Sequence, residues 1–380
     1  MFSDRRIILG ALVVLIGLLV FALAGPLSNA GYLHEYHEAY AHERHVAHEH
    51  ETHEHQAHGR HEHEAARATR SNDADYDYVQ VIEKAFKVRA GQTLFLETDF
   101  GKVTVLGEGG DEVTVTITKG IDDVSESRAE ELFDRFEIDF DQDSDGVSVE
   151  GDYEGDRNWG RGNRLHVEYE ITIPRAFDVM VQTAGGSIMA AHFEGDAELR
   201  TAGGSVKTVD INGPVVVKTS GGSISAEDLG GPADLHTSGG SITARDIDGA
   251  VESQTSGGSI KIENARGDVE ARTSGGSIRL KEIHGLANAQ TSGGSVTAEL
   301  MQAPKGPMTL KTSGGTVTLE LAEDASIDID AKASGGRVRS ELDVQVQGEI
   351  SKTHLEGTIN GGGPLVTLRS SGGSVKILKR

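Results

Sequence analysis

An internal repeat of 18 residues constrains this chain more than any other feature of its sequence. A T-[AS]-G-G-S motif recurs at intervals of 18 residues, and looser copies follow it at wider spacing. The regular copies begin at Thr183, Thr201, Thr219, Thr237, Thr255, Thr273 and Thr291, and the looser copies at Thr312, Ala333 and Ser370. Such a period is typical of solenoids, in which each repeat buries its apolar side chains only against its neighbours.

Each repeat contains two short segments in which apolar and polar residues alternate. Counted from the motif threonine as position 0, apolar residues occupy −4, −2, +5 and +10, and glycines occupy +2, +3 and, in most copies, +12. Alternation with a period of two predicts strands, and Gly-Gly supplies the positive φ of a tight turn. The sequence therefore predicts an all-β parallel β-helix or β-roll of about 10–11 coils, at ~4.8 Å per coil.

Two further expectations concern the inside and the end of this solenoid. The motif Thr and Ser hydroxyls are placed to form hydrogen bonds along the axis, because like residues stack from coil to coil. The wide gap between Ala333 and Ser370 predicts one degenerate coil, centred on Thr353.

The chain is predicted to have four segments. These are a membrane anchor or signal peptide over residues 1–30, a His/Glu-rich stalk over 31–75, a β-rich cap over 76–178 and the β-solenoid over 179–380. The first segment has two arginines before residues 7–24, an apolar stretch long enough to cross a bilayer. It is either an uncleaved single-pass anchor with the rest of the chain outside the cytoplasm, or a signal peptide that is cleaved before secretion.

A histidine-rich tract over residues 34–64 is the candidate metal-binding segment. Its histidines are His34, His37, His42, His45, His48, His50, His53, His55, His58, His61 and His63. Imidazole and carboxylate together suit Zn, Ni or Cu, although the spacing does not specify one four-ligand site. The tract is interpreted as a divalent-metal buffer, a pH-responsive sensor of envelope stress or a solvated spacer.

The cap region carries a predicted helix and a possible calcium loop. A short helix is expected around residues 126–135, with Ser127 as its N-cap and Glu130 closing a capping box. Asp141, Asp143, Asp145, Gly146 and Asp152 match the spacing of a calcium-binding loop. Strand-like segments flank this pattern, which favours a hairpin turn over a calcium site.

A basic, aromatic loop precedes the solenoid. Arg157, Arg161 and Arg164 surround Trp159, the chain's one tryptophan. Such a group can contact the carboxylate or phosphate of a glycan, or the indole can pack on its own sheet. The loop is the candidate ligand-contact site.

Composition excludes several classes of function. With no cysteine, the chain has no disulfides, thiolate metal sites or cysteine nucleophiles. Its net charge of −24 argues against nucleic-acid binding. Calcium binding through Asp210, Asp228 and Asp246, and carbohydrate hydrolysis, which needs paired carboxylates in a groove, are weaker alternatives. A non-enzymatic scaffold that requires no cofactor is favoured.

The repeat array, its lead-in ITIPRAFDVMVQTAGGSI over 171–188 and its ending GTINGGGPLVTLRSSGGSVKIL over 357–378 resemble a bacterial putative-adhesin family, a domain of unknown function. The resemblance extends over residues 79–380. It implies a β-helical domain that is commonly anchored or exported, and it brings no catalytic residues. The partners to expect are the membrane through the N-terminal helix and a surface polysaccharide or envelope protein.

Overall fold

The structure is a computed structural model that describes residues 69–70, 76–154, 165–346 and 351–380. The predicted anchor, the histidine-rich tract and the loop around Trp159 lie outside the described residues. Within the described part of the chain, no helix has the length and apolar character needed to cross a bilayer.

The described chain is almost entirely β-structure, as the repeat predicts. The region before the first regular motif contains β1 (Thr69–Arg70), β2 (Tyr78–Lys87), β3 (Thr93–Thr98), β4 (Lys102–Glu108), β5 (Glu112–Ile121), α1 (Glu126–Asp134), β6 (Phe136–Gln142), β7 (Gly146–Tyr153) and β8 (His166–Pro174). The regular coils contain β9 (Asp178–Thr183), β10 (Ile188–Phe193), β11 (Ala197–Thr201), β12 (Val206–Ile211), β13 (Val215–Thr219), β14 (Ile224–Leu229), β15 (Ala233–Thr237), β16 (Ile242–Ile247), β17 (Val251–Thr255), β18 (Ile260–Ala265), β19 (Val269–Thr273), β20 (Ile278–Ile283), β21 (Ala287–Thr291) and β22 (Val296–Leu300). The remaining strands are β23 (Met308–Thr312), β24 (Val317–Leu321), β25 (Ile327–Ala333), β26 (Val338–Ser340), β27 (Gln345–Val346), β28 (His354–Ile359), β29 (Leu365–Ser370) and β30 (Val375–Lys379).

These strands form two 15-stranded sheets that face each other across a thin core. Sheet A has the order β1-β2-β5-β8-β4-β10-β12-β14-β16-β18-β20-β22-β24-β30-β26. Sheet B has the order β27-β28-β25-β29-β23-β21-β19-β17-β15-β13-β11-β9-β3-β7-β6. Each coil is one strand of sheet B followed by one strand of sheet A, and parallel pairing aligns like positions, as in Thr219↔Thr237 and Ile224↔Ile242.

The core compensates for side-chain size from one sheet to the other. In the coil of Thr237, Leu235 of sheet B shares the interior with Ala244 of sheet A, and both are fully buried. In the next coil the sizes are reversed, because the small Ser253 is combined with Ile262. The exchange keeps the packed volume similar in these neighbouring coils, although it is not general, because Ala289 is combined with Ala298 and Leu310 with Leu319 further along the stack.

In six of the seven regular coils, a left-handed residue at position +9 is the last but one of the sheet A strand. The residues in this conformation, with φ between 52° and 67°, are His192, Asp210, Asp228, Asp246, Asn264 and Glu282. Asp and Asn tolerate this conformation better than most residues. The extra residue also shifts the alternation by one, so that +10 points inward after +5 and +7. The recurring aspartates therefore have a backbone role that needs no calcium.

The order of the coils in space differs from their order in the chain at both ends. At one end β3 lies between β7 and β9, and at the other β29 lies between β23 and β25. The described part of the chain has twelve coils rather than 10–11, because β3–β4 and β7–β8 extend the stack, with Thr98 and Gly151 at position 0. The degenerate coil predicted at Thr353 is wrong: β28, which follows it, pairs antiparallel with β25 and β27.

Helix α1 covers part of the N-terminal end, and its predicted cap is wrong by two residues. Ser125, not Ser127, is the N-cap, with the extended φ of −78° and ψ of 156° usual there. Ser125 makes no side-chain capping hydrogen bond, so no capping box forms. The helix instead buries Ala129, Leu132 and Phe133 in the core.

Two buried threonines are expected to respond in opposite ways to the same substitution. Thr208 Oγ1 is buried without a hydrogen-bond partner among the described residues, so Thr208→Val removes an unsatisfied group. Thr219 Oγ1 donates to Gly204 O at 2.8 Å and accepts from Gly222 N, so Thr219→Val leaves two backbone groups unpaired. We expect Thr208→Val to raise the free energy of unfolding by about 1 kcal/mol and Thr219→Val to lower it by 1–2 kcal/mol, both measured by urea titration. Loss of stability in both variants would contradict this.

Candidate binding surface

The site residues predicted from sequence are only partly described by the structure. The eleven tract histidines and the group Arg157, Trp159, Arg161 and Arg164 lie outside the described residues, so both sites stay predictions. The described residues contain no group of three or more histidines and carboxylates arranged to hold a metal ion.

The calcium-like pattern forms a hairpin turn between β6 and β7. Asp143 Oδ1 accepts hydrogen bonds from the backbone N–H groups of Asp145, at 2.8 Å, and Gly146, at 3.0 Å. Asp141 and Asp152 lie in the two antiparallel strands that this turn connects. The carboxylate of Asp143 thus stabilises its own turn, as an Asx-turn does.

Three histidines of the solenoid contact carboxylates. His192 Nδ1 lies 2.9 Å from Asp210 Oδ2, His236 Nε2 lies 2.5 Å from Asp234 Oδ1, and His354 Nε2 lies 3.2 Å from Asp330 Oδ1. None of these contacts includes a hydroxyl nucleophile. They are half-exposed surface pairs, which contribute little to stability.

A shallow groove runs along the solenoid axis where the Gly-Gly turns meet sheet A. It encloses about 380 Å³ and crosses five coils, with Lys102, Ser187, Ser205, Ser223 and Ser241 in its wall. At ~4.8 Å per coil, its first and last coils are roughly 19 Å apart. The groove therefore has the shape of a track rather than of a closed pocket.

A ladder of hydroxyl residues at position +4 lines this track. Its members are Ser187, Ser205, Ser223, Ser241, Ser259, Ser277, Ser295, Thr316 and Ser374. Ser205 Oγ accepts the backbone N–H of Ser223 at 3.2 Å, and the same bond repeats from Ser223 to Ser241 and onward. A hydroxyl that accepts in this way still has its own proton to donate. The ladder thus presents hydrogen-bond donors to solvent.

A second column, at position +6, runs beside the serine ladder on the outer face of sheet A. After Met189 it consists of cations and hydroxyl residues alone, which are in spatial order Lys207, Ser225, Thr243, Lys261, Arg279, Thr297, Thr318, Lys376 and Arg339. The two columns together are called the hydroxyl-cation stripe. In a chain with a net charge of −24, neither of the two columns contains a carboxylate.

Most cations of this stripe are available for a ligand. Lys261 forms an ion pair with Glu263 at 3.0 Å, whereas Lys207, Arg279, Lys376 and Arg339 form none within the described part of the chain. The neighbouring +8 column behaves differently, because its cations Arg245 and Lys281 pair with glutamates of adjacent coils.

The ion pairs of the +8 column join adjacent coils. Arg245 lies 3.6 Å from Glu227, and Lys281 lies 3.3 Å from Glu263. Hydrogen bonds from Lys261 and Lys281 lower the pKa of Glu263 below its ordinary value. At the edge of the groove, a hydrogen bond to Glu168 raises the pKa of Lys102.

The outer face of sheet B provides a comparison surface. Its −1 column is also basic in part, with Lys218, Lys311 and Lys332 free of ion pairs among the described residues. Two arginines of this column, Arg200 and Arg272, pair with carboxylates that stand two residues before them on their own strands, Glu198 and Glu270. Serines at position +1, among them Ser220, Ser238 and Ser256, follow these cations on sheet B, but within the described residues their hydroxyls do not accept a backbone N–H of the next coil as the +4 serines do.

The stripe was not identified from the sequence, although its signal is present there. Serine recurs at +4 in every regular motif, and Lys, Arg, Ser or Thr recurs at +6 in all but the first. The sequence alone does not show that both positions face outward, side by side, next to turns that have no side chains.

Lys119 is a buried cation at the N-terminal end of the fold, beside helix α1. It is 4% exposed, and its Nζ donates to the carbonyl oxygens of Phe133, at 3.0 Å, and Phe136, at 2.6 Å. Burial lowers its pKa to about 8, although Asp134 and Glu137 oppose that change. Lys119 therefore holds the end of α1, whose last carbonyls lack helical partners.

The lowered pKa of Lys119 predicts a pH dependence of stability. Between the folded value of about 8 and the ordinary value of 10.5, the unfolded chain binds more protons than the folded chain. The free energy of unfolding should therefore rise as the pH increases from about 8 to 10.5. Urea titrations across this range should show the rise in the full chain and a smaller one in Lys119→Met. An equal rise in both would assign the effect to other groups.

Residues 82–378 match the profile of a family described as Toastrack DUF4097. No curated protein matches the chain.

Several solved structures resemble the chain at low sequence identity. A "putative adhesin" from Bacteroides fragilis is 11% identical, with 79% of this chain and 97% of that chain covered and a TM-score of 0.31. A "putative lipid binding protein" from Parabacteroides distasonis is 12% identical, with 78% and 96% covered and a TM-score of 0.33. A "putative cell adhesion protein" from Clostridium sporogenes is 11% identical, with 79% and 100% covered and a TM-score of 0.21.

Proposed function

The chain belongs to the Toastrack DUF4097 family, and from this premise we propose that it is a non-enzymatic scaffold of the cell envelope that binds surface polymers or proteins along its solenoid. The observation that carries the proposal is the combination of a filled interior with long, periodic outer faces. Aliphatic side chains fill the space between the sheets, as the full burial of Leu235, Ile262 and Leu280 illustrates. What remains for function is the outer surface.

The perturbed groups of the described residues support a structural rather than a catalytic assignment. Active sites commonly combine a strongly shifted pKa with a cleft. Burial raises the pKa of Tyr169 far above its ordinary value and lowers that of Lys119. Both groups, however, are packed inside the core at the N-terminal end of the fold. Tyr169 has its hydroxyl 2.9 Å from Thr98 Oγ1, and neither group lines the groove.

An envelope location follows from the first segment of the sequence. The apolar residues 7–24 are long enough to anchor or export the chain, with the solenoid outside the cytoplasm. A stiff rod of stacked coils suits such a place, because paired strands leave little backbone accessible to proteases.

Metal binding by the histidine-rich tract is a separate proposal that rests on the sequence alone. Zinc calorimetry on the full chain, compared with a chain lacking residues 34–64, tests it. Loss of binding on removal of the tract is expected, and unchanged binding would contradict it.

The binding function is tested with the full chain and two fractions of a bacterial envelope, one of polysaccharide and one of protein. Saturable co-sedimentation with at least one fraction is expected, without release of new reducing ends or peptides. Catalytic turnover of either fraction, or the lack of saturable binding to both, would contradict the proposed function.

A further inference from the structure

We propose that the hydroxyl-cation stripe binds a linear acidic polysaccharide, laid along the solenoid axis with its carboxylates against Lys207 and the cations that follow. The inference rests on the proposed function and names both the face and the class of ligand. It starts from the charge of the stripe, which is opposite in sign to that of the chain as a whole.

The hydrogen-bonding capacity of the stripe selects an acceptor-rich ligand. Ammonium and guanidinium groups donate and do not accept. The ladder serines already accept backbone N–H groups, and each hydroxyl keeps its own proton to donate to a ligand. A ligand that satisfies this surface must present oxygen acceptors, and negative charge makes such bonds stronger.

The unpaired cations point to an anion rather than to a neutral sugar chain. Lys207, Arg279 and Lys376 are exposed and form no ion pair among the described residues, while the cations one column away are neutralised by their neighbours. A bound carboxylate would neutralise them without displacing an existing partner. The acidic remainder of the surface would repel the same polymer and so restrict it to the stripe.

The geometry of the stripe selects a linear polymer. Its members repeat at ~4.8 Å from coil to coil, and cations and hydroxyl residues together occupy nine successive coils from Lys207 to Arg339. Each contact is exposed and individually weak, so affinity has to come from many contacts along one chain. The Gly-Gly turns beside the serine ladder have no side chains to obstruct it.

The experiment compares two faces of the same protein. The stripe variant is Lys207→Gln with Arg279→Gln and Lys376→Gln. The matched control is Lys218→Gln with Lys311→Gln and Lys332→Gln on sheet B. Both variants make the net charge more negative by three, and all six side chains lack ion pairs in the described part of the chain.

Polygalacturonate oligomers are the probe, with dextran as the neutral polymer and polyphosphate as a second polyanion. The full chain is titrated by calorimetry at about pH 8 and low salt, where the tract imidazoles are neutral. We expect saturable binding of polygalacturonate that is stronger than binding of dextran or polyphosphate. The stripe variant should raise Kd by at least about tenfold and the control by less than about twofold. Unchanged melting temperatures should confirm that both variants fold.

Three results would overturn the inference. The first is that the full chain does not bind polygalacturonate. The second is that the stripe variant and the control change Kd equally or not at all. The third is that polyphosphate or dextran binds as tightly as polygalacturonate, or more tightly. If the full chain still binds an envelope fraction, the proposed function stands and only the assignment of face and ligand fails. If it binds neither fraction, the proposed function fails as well.

Discussion

Replacing Gly240 with alanine is expected to destabilise the solenoid by about 3 kcal/mol or more, while the same change at Gly239 has almost no effect. A Cβ on Gly240 would lie far inside the van der Waals contact distance from Gly222 O and 2.7 Å from Ser223 Cα. Both obstacles are backbone atoms of the preceding coil, so no side chain can rotate away. A Cβ on Gly239 meets Gly221 O at 3.5 Å, which is ordinary contact.

The comparison of adjacent glycines separates two explanations of the Gly-Gly pair. The sequence suggests that the pair supplies positive φ, yet of the motif glycines in the described residues only Gly186 has one. The second glycine is instead required because coils approach each other too closely for a Cβ. Thermal melts followed by circular dichroism measure both variants. Comparable losses at Gly239 and Gly240 would show that turn conformation, rather than close approach, is the constraint.

The regular coils of the fold could be predicted from the sequence, because stacked coils require like residues at like positions. The end coils could not. Thr98 and Gly151 hold position 0. Thr98 pairs in register with Thr183, but its hydroxyl contacts that of Tyr169, and Gly151 lies against the same tyrosine. A Cβ on Gly151 would overlap the Tyr169 hydroxyl. The tyrosine therefore requires a glycine where the regular coils have a threonine.

The order of the coils was also beyond prediction from the motif. Every coil presents the same backbone edge and nearly the same inward side chains, so the motif permits any coil to stack on any other. The hairpin of β25 and β28, together with the length of the chain between them, determines where β29 can pair. The order of the coils thus depends on the segments that connect the strands, and the repeat motif does not specify those segments.

The aligned repeats show which residue types occupy the candidate surface, but they do not show which of its charges are paired. Ser at +4 and Lys207, Lys261 and Arg279 at +6 can be read from the sequence, but the ion pairs that neutralise one column and leave the other free depend on contacts between coils. Charge patterns on a solenoid therefore need the register of the stack before they indicate a binding face.

Removing residues 364–380 is expected to cost more stability than removing an entire regular coil. Those residues form β29 and β30, which lie inside the stack between β23–β24 and β25–β26. Val366, Leu368, Val375 and Ile377 are fully buried there. Their burial contributes roughly 1.5–3 kcal/mol per side chain, which the entropy of ordering the strands offsets only in part. We expect a net loss of at least about 4 kcal/mol and exposure of the coil that follows.

The matched control deletes residues 238–255, one complete 18-residue coil, and preserves the motif spacing. That deletion removes two coil interfaces and forms a new one, since the flanking coils can stack directly. The C-terminal deletion removes two interfaces and leaves β25 and β26 without their parallel partners β29 and β30. It also removes the ion pair of Asp330 with Arg369. Melting temperature and limited proteolysis should therefore distinguish the two variants. Equal losses would mean that β25 and β26 move inward to stack on β23 and β24, and that the inverted order of coils does not stabilise this end.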